Sequence, residues 1–367
     1  MRICFFAGAD SLHSHRWIKY FHKQGHLISW ISLRPSEEII PEGIDFYEIG
    51  PLSSNPLILV RQVFQLRRIL SSISPDLFHV HSVGTYGLIS ALADFHPLVA
   101  TAWGSDVLIA GKSFLKRPFV KYVLRKADLI TCDAFHMVDA IADLGISADK
   151  IRLVYFGVEP DKFCPGEKAT ELLRLWGADG APTVISLRSL EPIYDIETLI
   201  MAIPAVLAKI PEVKFIIAGA GSQERYLRVL VDTLGVNSQV RFIGRYLHAA
   251  LPDYLRASDV YVSTSLSDAG IAASTAEAMS TSIPVVVTDS GENGRWVIDG
   301  QNGMLFPVRR PGLLAEKIIF LLENRERRDQ IAIAGRKTIE TKNNYYSEMM
   351  KMDEIYQQMS PQKRLSH

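Results

Sequence analysis

Val262-Ser263-Thr264-Ser265-Leu266-Ser267-Asp268-Ala269-Gly270-Ile271-Ala272-Ala273-Ser274-Thr275-Ala276-Glu277-Ala278-Met279 leaves an apolar strand, passes through a small polar loop containing glycine, and opens a helix. Ser282-Ile283-Pro284-Val285-Val286-Val287-Thr288 then returns as a second apolar strand. Two such runs joined by a helix make a parallel β–α–β unit. Working outward, the same alternation covers the chain. The first half is expected to hold strands at 3–7, 28–33, 46–49, 77–81, 98–102, 129–132 and 151–156. The second half should hold them at 183–187, 214–218, 240–243, 260–263, 285–288 and 304–306. Most are β-branched or Leu-rich throughout, as strands buried on both faces require. The fold class is therefore α/β, with two Rossmann-like, doubly wound parallel-sheet domains.

Length agrees, since 367 residues at roughly 150 per domain give about two. Gly157, Pro160, Pro165 and Gly166 mark a turn-rich stretch without a strand, read here as the hinge. The first domain then covers 1–160 and the second 161–344, with another break at 177–182. A last helical stretch, 345–359, lies beyond the final strand and can pack back on the first domain. Ligands of doubly wound sheets bind beyond the carboxyl ends of the strands, so the chemistry is sought in the loops that follow them.

Composition excludes several classes. Hydrophobic residues make up 48% and charged residues 22%, ordinary for a soluble globular protein. No apolar run is long enough to span a membrane. The apolar N-terminus is too short for a signal core and reads as a first strand. Cys4, Cys132 and Cys164 are far apart, so neither a disulfide framework nor a zinc knuckle is indicated, and the cytoplasm is the expected compartment. Forty basic and forty acidic residues cancel, which argues against a nucleic-acid binder.

The backbone amides of Gly270, Ile271, Ala272, Ala273 and Ser274, in a loop that opens a helix, suit a phosphate or a sugar hydroxyl. Glu277 can accept two ribose hydroxyls, or it only complements the helix dipole. The segment 262–288 resembles the donor-binding motif of family 4 glycosyltransferases of the GT-B fold: Glu, seven residues, Glu, then Ala-Met and a strand beginning Pro-Val. The resemblance implies that Glu277 holds the nucleotide ribose. Ala269 stands where the family has its first Glu, and Asp268 beside it can substitute with shifted register to contact the transferred sugar.

Arg188, in Ile185-Ser186-Leu187-Arg188-Ser189-Leu190-Glu191-Pro192-Ile193-Tyr194-Asp195, resembles the family's diphosphate arginine. A planar guanidinium fork suits phosphate oxygens and stays charged. Tyr194 occupies the place of the usual lysine, so its hydroxyl or nearby amides would carry that load. The bland alternative for Arg188 is a surface salt bridge. Gly219 and Gly221 follow a strong strand, where they either approach a phosphate or only permit a tight turn. Gly244 ends the segment whose following loop lies near the nucleotide base in the family. The stretch 290–303 resembles the family's closing motif, with Arg295 where Glu is common.

The first domain matches more loosely. Ser11, His13 and Arg16 lie in the turn after the first strand, opposite the donor phosphates in the family. His13 either orients the acceptor or leaving phosphate, or is a surface histidine. His79 and His81 share one side of a strand. No third ligand completes a metal site, and the reading here is structural, with His81 at the cleft edge. Thr101-Ala102-Trp103-Gly104-Ser105-Asp106 resembles the family's Thr-x-His-Gly-Ser-Asp. Trp103 replaces the histidine and can stack on a sugar face, Gly104 fits, and Asp106 binds the acceptor nucleophile or caps the following helix.

The resemblance implies a metal-independent, cofactor-free, retaining hexosyltransferase with a nucleotide-diphosphate sugar as donor and a carbohydrate or lipid-linked acceptor, the active site lying in the cleft between the domains. Polysaccharide or glycolipid assembly is the expected setting. The rivals are a degenerate carbohydrate-binding partner of a transferase and, on the same fold, a sugar-nucleotide epimerase. Between residues 51 and 127, nine Lys/Arg face three acids. Helices at 57–70 and 113–126 carry Arg61, Arg67, Arg68, Lys116, Arg117 and Lys121. Phe119, Val120, Val123 and Leu124 are expected to form one apolar side. Either this side packs on the sheet and the cations are solvated, or the surface docks reversibly on anionic lipid at the inner membrane face.

Overall fold

The computed structural model describes residues 1–36, 39–268 and 270–360. Each expected apolar run becomes a strand. The first half holds β1 (Arg2–Phe6), β2 (Leu27–Ser32), β3 (Ile44–Glu48), β4 (Leu77–His81), β5 (Leu98–Thr101), β6 (Leu129–Cys132) and β7 (Ile151–Leu153). The second half holds β8 (Thr183–Ser186), β9 (Lys214–Ala218), β10 (Val240–Gly244), β11 (Val260–Ser263), β12 (Val285–Thr288) and β13 (Met304–Phe306). Only β7 falls well short of its apolar run. Its pairing with β6 ends at Leu153, and Phe156 leaves the sheet to stack on Trp103.

Two all-parallel sheets result, with strand orders β3-β2-β1-β4-β5-β6-β7 and β10-β9-β8-β11-β12-β13. The interior strands β4, β8, β11 and β12 are buried along their whole length, as double coverage by helices demands. The edge strands β3 and β10 are only partly covered, and β10 is irregular between Phe242 and Gly244. Strand order reverses between β1 and β4 in one sheet and between β8 and β11 in the other. Connections there run to opposite faces and open a crevice beyond the strand ends, so these two positions fix where ligands can enter.

The chain divides into two compact units, one holding Met1–Phe156 with the C-terminal segment from Tyr346, the other Gly157–Tyr345. Each has its own core. Phe6, Leu66, Phe78, Ile89 and Ile130 belong to the first, and Phe215, Val262, Val286, Phe306 and Leu314 to the second. Each such side chain contributes roughly 1.5–3 kcal/mol by leaving water.

The last helix, Tyr345–Met359, buries Met349, Met352 and Tyr356 completely. The Tyr356 hydroxyl hydrogen-bonds His79 Nδ1, while His79 Nε2 meets Thr101 Oγ1 at 2.6 Å. Glu348 accepts from the Tyr155 amide at 2.9 Å. A buried imidazole with both nitrogens engaged is a structural histidine, and burial holds its pKa well below the ordinary value.

The basic stretches lie on the first unit. Residues 57–70 fall within the helix Pro56–Ile73, opened by Asn55, whose side chain accepts from the Leu57 amide at 2.9 Å. The second helix spans only Arg117–Lys126, because Pro118 belongs in a first turn and residues 113–116 form the turn before it. Val120, Val123 and Leu124 pack inward, whereas Phe119, one position round the helix, is 56% exposed. Among the described residues, no helix is long and apolar enough to cross a membrane.

Candidate active site

Beyond the switch point of the second sheet, the loop after β8 carries Arg188 and the loop after β11 carries Asp268. The Arg188 guanidinium donates to Asp268 Oδ1 at 2.6 Å, with side chains only 12% and 5% exposed. Asp268 is further steadied by Asn293, whose amide nitrogen lies 3.5 Å from Oδ2 and donates to the Thr288 carbonyl at 3.0 Å. Arg188 Nε is buried without a hydrogen-bond partner, which leaves a donor of the fork uncommitted. Beneath the guanidinium lies the face of Tyr194, 4.4 Å from Cζ to ring centroid. Tyr194 thus meets Arg188 through its ring, a cation–π contact. Ala269 lies outside the described residues.

The loops are tied together by backbone contacts. Thr264 Oγ1 donates to the Tyr194 carbonyl at 2.8 Å, and the Leu266 amide to the Ile193 carbonyl at 2.8 Å. Gly219 and Gly221 face the Arg188 segment from β9. A Cβ at Gly219 would lie 2.4 Å from the Arg188 carbonyl oxygen, and one at Gly221 2.3 Å from that of Leu190. Both glycines therefore serve close backbone packing behind Arg188. Gly244 joins the same cluster, its carbonyl accepting from the Gly219 amide at 2.8 Å.

Glu277 lies midway along the helix Ala273–Ser280, which has no side-chain cap at Ala272. Gly270, Ile271 and Ala272 lead directly into it. The Ser274 hydroxyl is engaged by the Tyr261 hydroxyl at 2.8 Å. Sequence reasoning missed three residues here. Tyr246 donates to the Leu187 carbonyl at 3.1 Å. Burial, with the neighbouring Tyr261 and Glu277, pushes its phenol pKa up, so it stays a donor. His248 Nε2 lies 3.0 Å from Glu277 Oε1, and its Nδ1 lies 2.9 Å from Lys162 Nζ. Tyr246 and His248 sit two apart in the loop after β10, which the sequence marked only through Gly244.

In the first unit, Ser11, His81, Trp103 and Asp106 line one cavity of about 320 Å³ beyond the β1/β4 switch point, with Asp10 and Arg34. Asp10 and Arg34 are ion-paired. Ser11 caps the helix Leu12–Lys23. His81 Nδ1 meets Ser14 Oγ at 3.2 Å while Nε2 is buried without a partner. Burial, with His13 nearby, lowers the pKa of His81 to about 3. Asp106 Oδ2 accepts from the Val83 amide and Oδ1 from the Trp103 amide, each at 2.9 Å. It thus ties the loop after β4 to the loop after β5. Burial raises its carboxyl pKa while those amides pull it back. Gly104 turns the chain at φ +108° between Trp103 and Asp106. His13 packs on Phe156 at 4.6 Å, and Trp103 gives one face to the same ring at 4.9 Å.

Residues 2–134 match the family described as glycosyl transferase 4-like, and residues 175–338 match glycosyl transferases group 1. Together they account for about four-fifths of the chain, in the order of its two sheets. The chain is a GT-B glycosyltransferase of the family 4 type. Among relatives of this glycosyltransferase, a GDP-mannose-dependent α-(1-6)-phosphatidylinositol monomannoside mannosyltransferase of Mycobacterium tuberculosis is 26% identical over 71% of the chain and 72% of that protein. An uncharacterized glycosyltransferase of Methanocaldococcus jannaschii is 26% identical over 80% and 78%. Anabaena HepE, solved in complex with UDP, shares the fold with a TM-score of 0.83 at 19% identity, covering 98% of this chain and 100% of that one.

Proposed function

We propose that this glycosyltransferase moves a hexosyl sugar from a nucleotide-diphosphate sugar to an acceptor hydroxyl, with retention, in the assembly of a glycan, polysaccharide or glycolipid. The observation that carries the reading is the Arg188–Asp268 pair at the β8/β11 switch point. It sets a cation with an uncommitted donor, and a carboxylate, where a doubly wound sheet takes its ligand. The mycobacterial relative is named as GDP-mannose-dependent, which agrees with such a donor.

In this reading Arg188 and the amides of residues 270–274 stabilise charge developing on the leaving diphosphate. Glu277 holds the ribose, and Asp268 contacts the transferred sugar. The acceptor binds in the first-unit cavity lined by Ser11, His81, Trp103 and Asp106. Its hydroxyl attacks on the face from which the diphosphate departs; the glycosidic C–O bond to phosphate breaks, and the phosphate oxygen takes the acceptor proton.

We also assign the acceptor to the lipid-linked class, met at the inner membrane face by a cytoplasmic protein. The mycobacterial relative is named for a phosphatidylinositol acceptor. Leu57, Phe64, Phe114 and Leu115 are exposed beside Arg61, Lys116 and Arg117, the mixture that anionic lipid attracts. Nucleotide release from a panel of UDP- and GDP-sugars, with and without lipid acceptor, tests the reading. Acceptor-stimulated release from one donor is expected, with the product's anomeric configuration matching the donor's. Silence across the panel would sink it, and an inverted product would remove retention.

A further inference from the structure

Glu277 is held by a relay assembled from three distant parts of the second unit. His248 Nε2 lies 3.0 Å from Glu277 Oε1, and His248 Nδ1 lies 2.9 Å from Lys162 Nζ. The imidazole rests edge-on against Phe163, at 5.7 Å between centroids. Glu277 is 10% exposed and His248 34%. An ammonium group has donors and no acceptor, so facing Lys162 the His248 Nδ1 must be the unprotonated, accepting nitrogen. The ring hydrogen then sits on Nε2, which donates to Glu277 Oε1.

We propose that His248 and Lys162 are positioning residues for the donor: Lys162 holds the imidazole ring at Nδ1, and His248 fixes the Glu277 carboxylate for the ribose. This rests on the reading of Glu277 as the ribose ligand. Oε2 makes no hydrogen bond to protein among the described residues, so one oxygen is anchored and, in this reading, the other is left for the ribose. Without the anchor, a glutamate side chain samples several rotamers, and binding must order it at an entropic cost. Reversing the tautomer would turn the accepting lone pair of Nε2 towards a carboxylate oxygen, a repulsive contact. The Glu277 carboxylate therefore favours the Nε2–H tautomer as well, and Lys162 reinforces it by donating to Nδ1. His248 also shares its loop with Tyr246, anchored to the carbonyl of Leu187 beside Arg188. One loop thus reaches both the arginine segment and the ribose carboxylate.

Affinities for UDP and GDP, measured by calorimetry on the full chain, test this. For whichever nucleotide binds, His248→Ala should weaken affinity about tenfold, the scale of losing a hydrogen bond to a charged group. His248→Gln, whose amide can accept from Lys162 and donate to Glu277, should recover to within about threefold of wild type. Turnover at saturating donor should change less than about twofold in both, since the relay acts before chemistry. Nitrogen-15 shifts of the imidazole, assigned by their loss in His248→Gln, should show the Nε2–H tautomer in wild type, and Lys162→Met, which frees the ring at Nδ1, should weaken nucleotide affinity about threefold. Wild-type affinity in His248→Ala, or an Nδ1–H tautomer in wild type, overturns the relay. Glu277→Ala is run alongside: if it weakens binding while His248→Ala does not, only the relay fails. If Glu277→Ala binds normally, the donor reading itself fails.

Discussion

Arg188 and Asp268 lie 80 positions apart, yet the guanidinium of one donates to the carboxylate of the other at 2.6 Å. They lie in the loops that follow β8 and β11, strands that are neighbours where the strand order reverses. Their nearly complete burial makes the pair a matter of stability as well as chemistry. Without Arg188 the Asp268 carboxylate would keep only the Asn293 side chain at 3.5 Å, and without Asp268 the arginine would be a buried cation without its counter-charge.

Removing Arg188 should therefore show itself in turnover. Arg188→Ala is expected to lower kcat by about 10²–10³, the range for a lost transition-state charge donor. Tyr194 presents its ring to the guanidinium and offers little compensation. Steady-state kinetics with the identified donor checks it, and near-normal turnover in a folded variant removes the role assigned to Arg188.

Asp268→Ala should be costly in a different way. Breaking a buried pair by deleting one partner costs about 3–5 kcal/mol because the other charge stays desolvated. Chemical denaturation of the variant should show a loss of that order, reduced by whatever water enters beside Arg188. A loss below about 1 kcal/mol would mean that the pair is solvated in solution.

Glu277→Ala is expected to weaken nucleotide-sugar binding by about 1.5–3 kcal/mol, the worth of a hydrogen-bonded carboxylate. The Ala273–Ser280 helix should survive, since alanine has the best helix propensity. Calorimetry on a variant with an unchanged circular-dichroism spectrum separates lost binding from lost folding.

His81 should make stability fall as pH drops. Its folded pKa is about 3, whereas an unfolded histidine titrates near 6.5. Between those values the unfolded chain binds a proton that the folded chain refuses, so its contribution is whole above about pH 6.5 and lost on the way to pH 3. The slope for one such group approaches about 1.4 kcal/mol per pH unit. Denaturant melts from pH 7 to 4 should be shallower by up to that slope in His81→Asn, which can keep the bond to Ser14. Parallel curves for variant and wild type would contradict a neutral, buried His81.

Membrane docking makes the last prediction. Sedimentation with anionic liposomes should occur at low salt, weaken as salt rises, and fall when Lys116, Arg117 and Lys121 become Glu, at about 1 kcal/mol per cation near the surface. Lys126 and Arg67 are poorer choices for such a test. Lys126 is paired with Asp94 at 2.7 Å, and Arg67 donates to the carbonyls of Leu92 and Ala93. If liposomes of phosphatidylglycerol leave the protein in the supernatant even at low salt, a soluble acceptor becomes the better reading.

The sequence by itself determined the thirteen strands, the parallel class and the loops in which to look. Buried strands announce themselves through apolar runs whose spacing is local, and a strand–loop–helix order needs no distant partner to be read. It also singled out Arg188, Asp268 and Glu277, through the resemblance of their segments to the family's donor-binding motif. Tertiary structure decided what those residues touch. That Asp106 spends both carboxylate oxygens on the Val83 and Trp103 amides depends on β4 and β5 lying adjacent. That Tyr194 lies under Arg188, and that His248 joins Lys162 to Glu277, depends on loop conformations to which no periodicity points. Strand order and loop packing are set by contacts between residues tens to hundreds of positions apart. A local pattern therefore tells which side chains reach the crevice, and only the folded chain tells which of them meet there.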